Sequence, residues 1–346
     1  MIQRGGHMQE KMGSGNLLDD RGRLEACGWA TSEVRRYDRG AIRAHPLRTK
    51  EWDYYCVLTD RYGLALTLAD NDYLGFAGIT WLDFETPASC AEDVVVPLPM
   101  GKFGLPASAD SGDTVFSHKT LEMAFRHVPG GRQLSVKAPG FDKGRGLSGE
   151  IFLRQPEMDR MVIATPFPGA PKAFYYNQKI NCLAAEGEIV IGSETFPFQP
   201  DQASGVLDWG RGVWTYDNTW YWGSASGHLN GRPFGFNIGH GFGDTSAASE
   251  NMLFLDGIAH KLDEVTFHLP DGPLDKAPWR FSSNDGRFEM TFAPALNRDA
   301  HVNLGVMETR QDQVFGHFSG DVVLDDGTSL HIDRLLGFAE EVHNRW

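Results

Sequence analysis

Six stretches of this 346-residue chain alternate apolar and polar residues with a period of two: YYCVLTD at 54–60, LALTLAD at 64–70, EIVIG at 188–192, EVTFHL at 264–269, RFEMTF at 287–292 and DVVLDDGTSLHID at 321–333. Successive side chains on an extended chain point to opposite faces, so the pattern fits strands and not helices. In the last run Asp326-Gly327 separates two alternating halves, and Asp-Gly readily takes the positive φ angles of a hairpin turn. Asn230-Gly231 and Asp285-Gly286 repeat that signal. Forty Gly and 18 Pro punctuate the chain, while 22 Phe, 9 Trp and 9 Tyr supply side chains suited to pleated surfaces. The expected class is all-β, built as antiparallel barrels with few short helices. Only residues 120–127 and 338–342 have helical character.

One eight-stranded barrel uses roughly 150 residues, so the length predicts two barrel-like halves in sequence. The Pro- and Gly-rich TPFPGAP at 165–171 is the expected linker, giving halves at 16–165 and 172–346. No residue-level repeat crosses it. Residues 1–15 are polar and Gly-rich and are expected to be a disordered leader or vector-derived remnant.

With 32 Lys+Arg against 46 Asp+Glu, the net charge of −14 repels a phosphate-rich partner at long range, so nucleic acid is not expected as a ligand. No apolar run approaches the ~20 residues of a membrane span, and the first twenty residues lack the apolar core of a secretory signal. A cytoplasmic location without a transmembrane segment is expected. Cys27, Cys56, Cys90 and Cys182 form no Cys-x-x-Cys and are read as free core thiols. The 12 histidines contain no His-x-His or His-Glu-x-x-His, and no calcium loop is present, so neither metal nor cofactor is expected. Gly-Ser-Ala-Ser-Gly at 223–227 has Ala where a nucleophile elbow needs Ser.

The densest unusual segment is DWGRGVWTYDNTWYWG at 208–223, which carries four of the nine tryptophans. On a strand Trp220 and Trp222 share a face and would form an aromatic wall able to stack a flat ring or stabilise a developing cation. Rings of this kind also simply fill cores. What favours a site is the company of Asp208 and Arg211, which are costly to bury unless paired and could pair with each other. In FGFNIGHGFGDTSAASEN at 234–251 the glycines are followed by neither an apolar helix nor a Walker lysine, so no phosphate loop is present. His240 beside Asp244 and Glu250 becomes an acid/base candidate. In RTKEWDYY at 48–55, Lys50, Trp52 and Tyr54 alternate with Glu51, Asp53 and Tyr55, which suggests a charged edge strand with one solvated face. Adjacent Glu340 and Glu341 are read as a solvated helix face.

Lys50-Glu51-Trp52-Asp53-Tyr54-Tyr55, Asp208-Trp209-Gly210-Arg211-Gly212, Trp220-Tyr221-Trp222, Gly241-Phe242-Gly243-Asp244, Glu250-Asn251 and Gly337-Phe338-Ala339-Glu340 together resemble the bacterial family called domain of unknown function 2804. That family is distantly similar to the lipocalin-like superfamily of carotenoid hydratases, AttH-like proteins and fungal Diels–Alderases. The resemblance implies two calycin barrels side by side, a small apolar ligand and cofactor-free addition, elimination, isomerisation or cyclisation.

The expectation is therefore a lyase or isomerase acting on an apolar unsaturated or aromatic molecule. Its catalytic candidates are Asp208, His240, Asp244 and Glu250, and its binding candidates are Trp209, Arg211, Trp214, Tyr216, Trp220, Trp222, Asn237 and Asn251. The alternative is a carrier for a lipid or aromatic metabolite, which needs the aromatic wall but not the carboxylates. Nothing in the sequence decides the oligomeric state.

Overall fold

The alternating runs pair as antiparallel strands in two large sheets. The computed structural model describes residues 9–303, 305 and 307–346. Strand makes up 62% of it and helix 3%, which places the chain in the all-β class, as two sheets curled into half-barrels.

The first sheet has thirteen strands. Its main path runs Ala88–Pro97, Leu74–Asp83, Tyr62–Asp70, Thr49–Leu58, Ser204–Val213, Ala170–Ile191, Leu147–Arg154, Gly131–Ala138, Glu122–Val128 and Thr114–Ser117. Met161–Phe167 and Glu194–Phe198 also pair with the long strand Ala170–Ile191, and Gly28–Ala30 pairs with Met161–Phe167. The second sheet has nine strands, in the order Ile258–Lys261, Met252–Leu255, Arg232–His240, Asp217–Leu229, Ser329–Arg345, Glu308–Val323, Phe288–Asn303, Trp279–Ser283 and Val265–His268. Neither path returns to its first strand. No helix among the described residues is long and apolar enough to cross a membrane.

Asn230-Gly231 forms a two-residue turn between the paired Leu229 and Arg232, with φ of +52° and +77°. These angles are those expected of a tight hairpin with right-handed strands. The stretch at 165–171 was expected to be a linker and is instead another hairpin: Phe167 pairs with Ala170, and Gly169 takes φ +72°. Turns and linkers share their Pro/Gly composition, and only pairing separates them. The chain passes from one sheet to the other between Val213 and Asp217.

The helical expectation at 120–127 fails because Val128 pairs with Gly131 across Pro129-Gly130, a turn that commits its flanks to a hairpin. The expectation at 338–342 fails because Ser329–Arg345 lies between two neighbours that take both its hydrogen-bonding edges. Residues 1–8 lie outside the described set, but the expected disorder does not extend through residue 15. The Glu10 amide donates to the Ala247 carbonyl, and Met12 is buried. The four cysteines are free, with Cys56 buried and the others half-buried.

The buried apolar residues form two cores, and the first of them runs from one sheet into the other. Phe234, Phe236, Phe281, Phe292 and Phe318 belong to the core of the second half. Trp222, Phe242, Phe254, Phe315 and Phe338 of that half instead join the core of the first. Thr49–Leu58 is therefore a central strand buried on both faces, not a charged edge. Its Asp53 receives the Arg211 guanidinium at 2.9 Å, and its Glu51 pairs with Arg39.

In Ser204–Val213 all ten residues are buried. A β-carbon on Gly210 would enter the Trp52 ring, which is itself wedged against Tyr175 and Trp214. Gly210→Ala is expected to cost ~1–3 kcal/mol or more through overpacking. Denaturant unfolding measures this against Gly140→Ala, whose β-carbon meets open space at φ −87° and which should be nearly neutral.

Candidate functional site

The layer between the sheets contains a buried cluster of charged and hydroxyl-bearing side chains, built by strand register. Asp208 stands opposite Lys179 on one neighbour and Tyr54 on the other, so the three share a face. On the facing sheet Trp222 stands opposite both Glu340 and Gly239, and Glu340 stands opposite Gln313.

Lys179 Nζ lies 2.8 Å from Asp208 Oδ2, and both groups are buried. The Asn177 amide donates to the other Asp208 oxygen at 2.7 Å. The ammonium also sits over the Trp222 ring, 3.8 Å from its centroid, and 5.8 Å from that of Phe242. Arg would fit this spot poorly, because a compact point charge serves both a carboxylate and a ring face at once.

Two further carboxyls complete the cluster. Glu250 Oε2 accepts a 3.3 Å bond from the Tyr175 hydroxyl, while its Oε1 is buried without a partner. A β-carbon at Gly239 would collide with that oxygen, so glycine there makes room for the carboxyl. Glu340 accepts from Trp220 Nε1 at 3.2 Å and from Gln313 Nε2 at 3.1 Å, and Tyr54 donates to the Gln313 carbonyl at 3.2 Å.

Burial pushes Glu250 up to about 7; the nearby Asp208 charge adds to this, against the pull of Lys179 and the Tyr175 bond. Glu340 is pushed up to about 7 by the same main cause, opposed by the Trp220 bond and by Lys179. Lys179, with Lys261 beside Glu250 and Arg298 beside Glu340, pulls these carboxyls toward the charged form, but the cost of burying the charge outweighs that pull, so both hold their protons more tightly than a free glutamate. Near neutral pH the cluster can both give and take a proton.

Of the expected site residues, the structure brings together Asp208, Glu250, Trp220 and Trp222. Asn237 and Asn251 stand directly behind them. Asn237 accepts from Trp222 Nε1 at 2.7 Å and donates to the Glu250 carbonyl at 2.9 Å. Asn251 accepts from the Gly239 amide at 2.7 Å. Both position the site and have their amides committed.

Trp214 packs on the aromatic side of the cluster, 5.7 Å from Tyr175 and 5.2 Å from Trp220. Trp209 and Arg211 point to the opposite face of their strand. There Trp209 meets the rings of Tyr37 and Tyr176, and Arg211 lies over the Trp209 ring at 4.1 Å. The expected Asp208–Arg211 pair therefore does not form, because residues three apart on a strand face opposite ways.

His240 also lies on the far face of its strand. It stacks on Tyr221 at 4.6 Å beside Phe267, and burial lowers its pKa. Asp244 closes a local turn with the Ser246 amide at 3.0 Å, which lowers its pKa and leaves it outside the cluster. Tyr216 is 41% exposed at the junction of the sheets.

Sequence reasoning missed Lys179, Glu340 and Tyr175. Reading 338–342 as a strand would have placed Glu340 on the face of Phe338 and Val342. Lys179 carried a signal too, as the one charged residue within 173–185 of the long strand. Glu341, read together with Glu340, points the other way and accepts from the Tyr221 hydroxyl at 2.8 Å.

A glutamate whose folded pKa exceeds its ordinary 4.5 stabilises the fold fully below about 4.5, and loses that contribution as pH rises through about 7. Stability is therefore expected to fall between pH 4.5 and 7. Glu250→Gln and Glu340→Gln should each flatten part of that slope, by on the order of 3 kcal/mol at most. Thermal unfolding across this range checks both, and an unchanged slope would contradict the assignment.

Comparison with known proteins places this fold. The model of the family Domain of unknown function (DUF2804) matches residues 8–346. No protein of curated function matches the sequence. Among solved structures, an AttH-like protein from Nitrosomonas europaea is similar, with a TM-score of 0.54 and 15% identity over 90% of this chain and 98% of that one. Kievitone hydratase from Nectria haematococca is similar at a TM-score of 0.49 and 10% identity, over 96% and 98% of the two chains. The first likeness shows a shared fold and nothing finer.

Proposed function

Because the chain belongs to the family Domain of unknown function (DUF2804), a name that assigns no chemistry, we propose its function from the buried cluster alone. The protein is a cofactor-independent lyase or isomerase that moves protons on an apolar unsaturated or aromatic molecule. One observation carries this reading: Glu250 and Glu340, both at about 7, flank an ion-paired Lys179 against the indoles of Trp220 and Trp222. Acid/base groups work best when their pKa lies near the working pH.

Glu250 is the proton-transfer group, since its Oε1 has no protein partner to displace. In the addition direction its carboxyl protonates one alkene carbon. The cation at the neighbouring carbon lies among the indole rings and the carboxylates. Water adds to that carbon and returns a proton to the Glu250 carboxylate, so the enzyme ends as it began. Loss of a different proton from the same cation yields an isomer. Glu340 and the Lys179–Asp208 pair set the field in which the cation forms.

A carrier needs the rings but not two titrating carboxyls, and mass spectrometry of a bacterial metabolite extract separates the two functions. An enzyme consumes a compound, whereas a carrier only retains it. Glu250→Gln should lower consumption ~10²–10⁴-fold, the usual loss on removing acid/base assistance. Glu341→Gln, on the other face, should leave it unchanged. Retention without consumption by the unaltered protein, or full turnover by Glu250→Gln, would refute the enzyme reading.

A further inference from the structure

Where the chain crosses between the sheets, a recess of about 400 Å³ opens beside the aromatic end of the cluster, lined by Arg48, Lys172, Val213, Trp214 and Tyr216 among others. Its volume falls within the ~300–1,000 Å³ of small-molecule sites. Its wall holds two cations and no carboxylate, although the chain carries 46 Asp+Glu against 32 Lys+Arg. Arg48 is fixed there by a 2.7 Å bond to the main-chain oxygen of Trp346 and by its place 5.4 Å from the Tyr216 ring centroid. Two of the five guanidinium N–H groups suffice for those contacts, which leaves donors for a ligand.

Trp214 belongs both to this wall and to the ring cluster that seals the charged layer. Its indole touches Trp52, Phe167, Tyr175 and Trp220, and its buried N–H has no hydrogen-bond partner. Ring packing alone therefore holds it. Immediately behind it the Tyr175 hydroxyl donates to Glu250. The Trp214 indole and the Tyr175 ring behind it thus separate a cationic, aromatic recess from the group assigned to proton transfer.

We propose that this recess is the anchoring subsite of the buried cluster and that its ligand is an organic anion: a carboxylate gripped by Arg48 and Lys172, with an aromatic or polyene body laid on Trp214 and Tyr216. This rests on the enzyme reading above and narrows its substrate class to apolar acids. The negative charge stays at the rim, where water and cations solvate it. Only the unsaturated part passes Trp214 into the dry layer, so no anion approaches the three carboxyls.

The test compares naphthalene-2-carboxylate with the neutral 2-acetylnaphthalene, by calorimetry and by quenching of tryptophan fluorescence on the full chain. The carboxylate is expected to bind at least tenfold tighter, and Arg48→Gln and Lys172→Gln should each erase about that preference without changing affinity for the ketone, as the loss of a charge-assisted contact would. Lys172 is exposed, so its variant keeps the test open if Arg48→Gln disturbs the Trp346 contact. Equal binding of the two probes, or a preference untouched in Lys172→Gln and Arg48→Gln, overturns the proposal. The preference for the carboxylate over the ketone should be unchanged in Glu250→Gln. A lost anion preference beside normal turnover chemistry, or the reverse, tells failure of the subsite from failure of the enzyme reading.

Discussion

The Lys179–Asp208 ion pair holds the centre of the molecule. It is buried between two half-barrels, and the ammonium also rests on an indole from the facing sheet. Breaking such a pair by removing one partner costs on the order of 3–5 kcal/mol, because a charge is left uncompensated in a dry layer. The same dryness raises Glu250 and Glu340, and the Asp208 charge adds to it. Burial is thus what makes the pair matter for packing and also what raises both glutamates to about 7.

The sheets supply this arrangement through small residues as much as through large ones. Gly239 leaves room for the Glu250 carboxyl, and Gly210 leaves room for the Trp52 ring. Asn237 and Asn251 spend their amides on Trp222, on the Glu250 carbonyl and on the Gly239 amide. The carboxyls are thus held from behind, while the face toward Phe242, Tyr175 and Trp214 is closed only by rings. A layer that is rigid behind and ring-packed in front suits a site that must admit an apolar ligand and exclude bulk water. The structural likeness to an AttH-like protein at 15% identity carries the frame of two half-barrels, and the roles of these residues rest on their own contacts.

Much of this was legible in the chain. Period-two alternation and the Asp-Gly and Asn-Gly turns determine an all-β fold, since no other regular structure places every second residue on one face. The Trp-rich run marked Trp220, Trp222 and Asp208, and the glycine-rich run marked Glu250, Asn237 and Asn251. The first marking rested on charged residues too costly to bury unpaired, the second on acid/base candidates beside close-set glycines.

Pairing partners and faces were decided only by the tertiary structure. Asp208 is three residues from Arg211 but pairs with Lys179, twenty-nine positions before it in the sequence. The reason is that strand geometry sends residues 208 and 211 to opposite faces, while register sets 179 and 208 side by side. His240 and Glu250 were neighbours in sequence and lie on opposite sides of their sheet, and Glu340, read as solvated, is buried at the cluster. Composition cannot tell a turn from a linker, nor alternation tell which of two faces is inward when both are buried. Local sequence settles which residues share a face of a strand, but what that face meets depends on the packing of two sheets whose contacts span the whole chain.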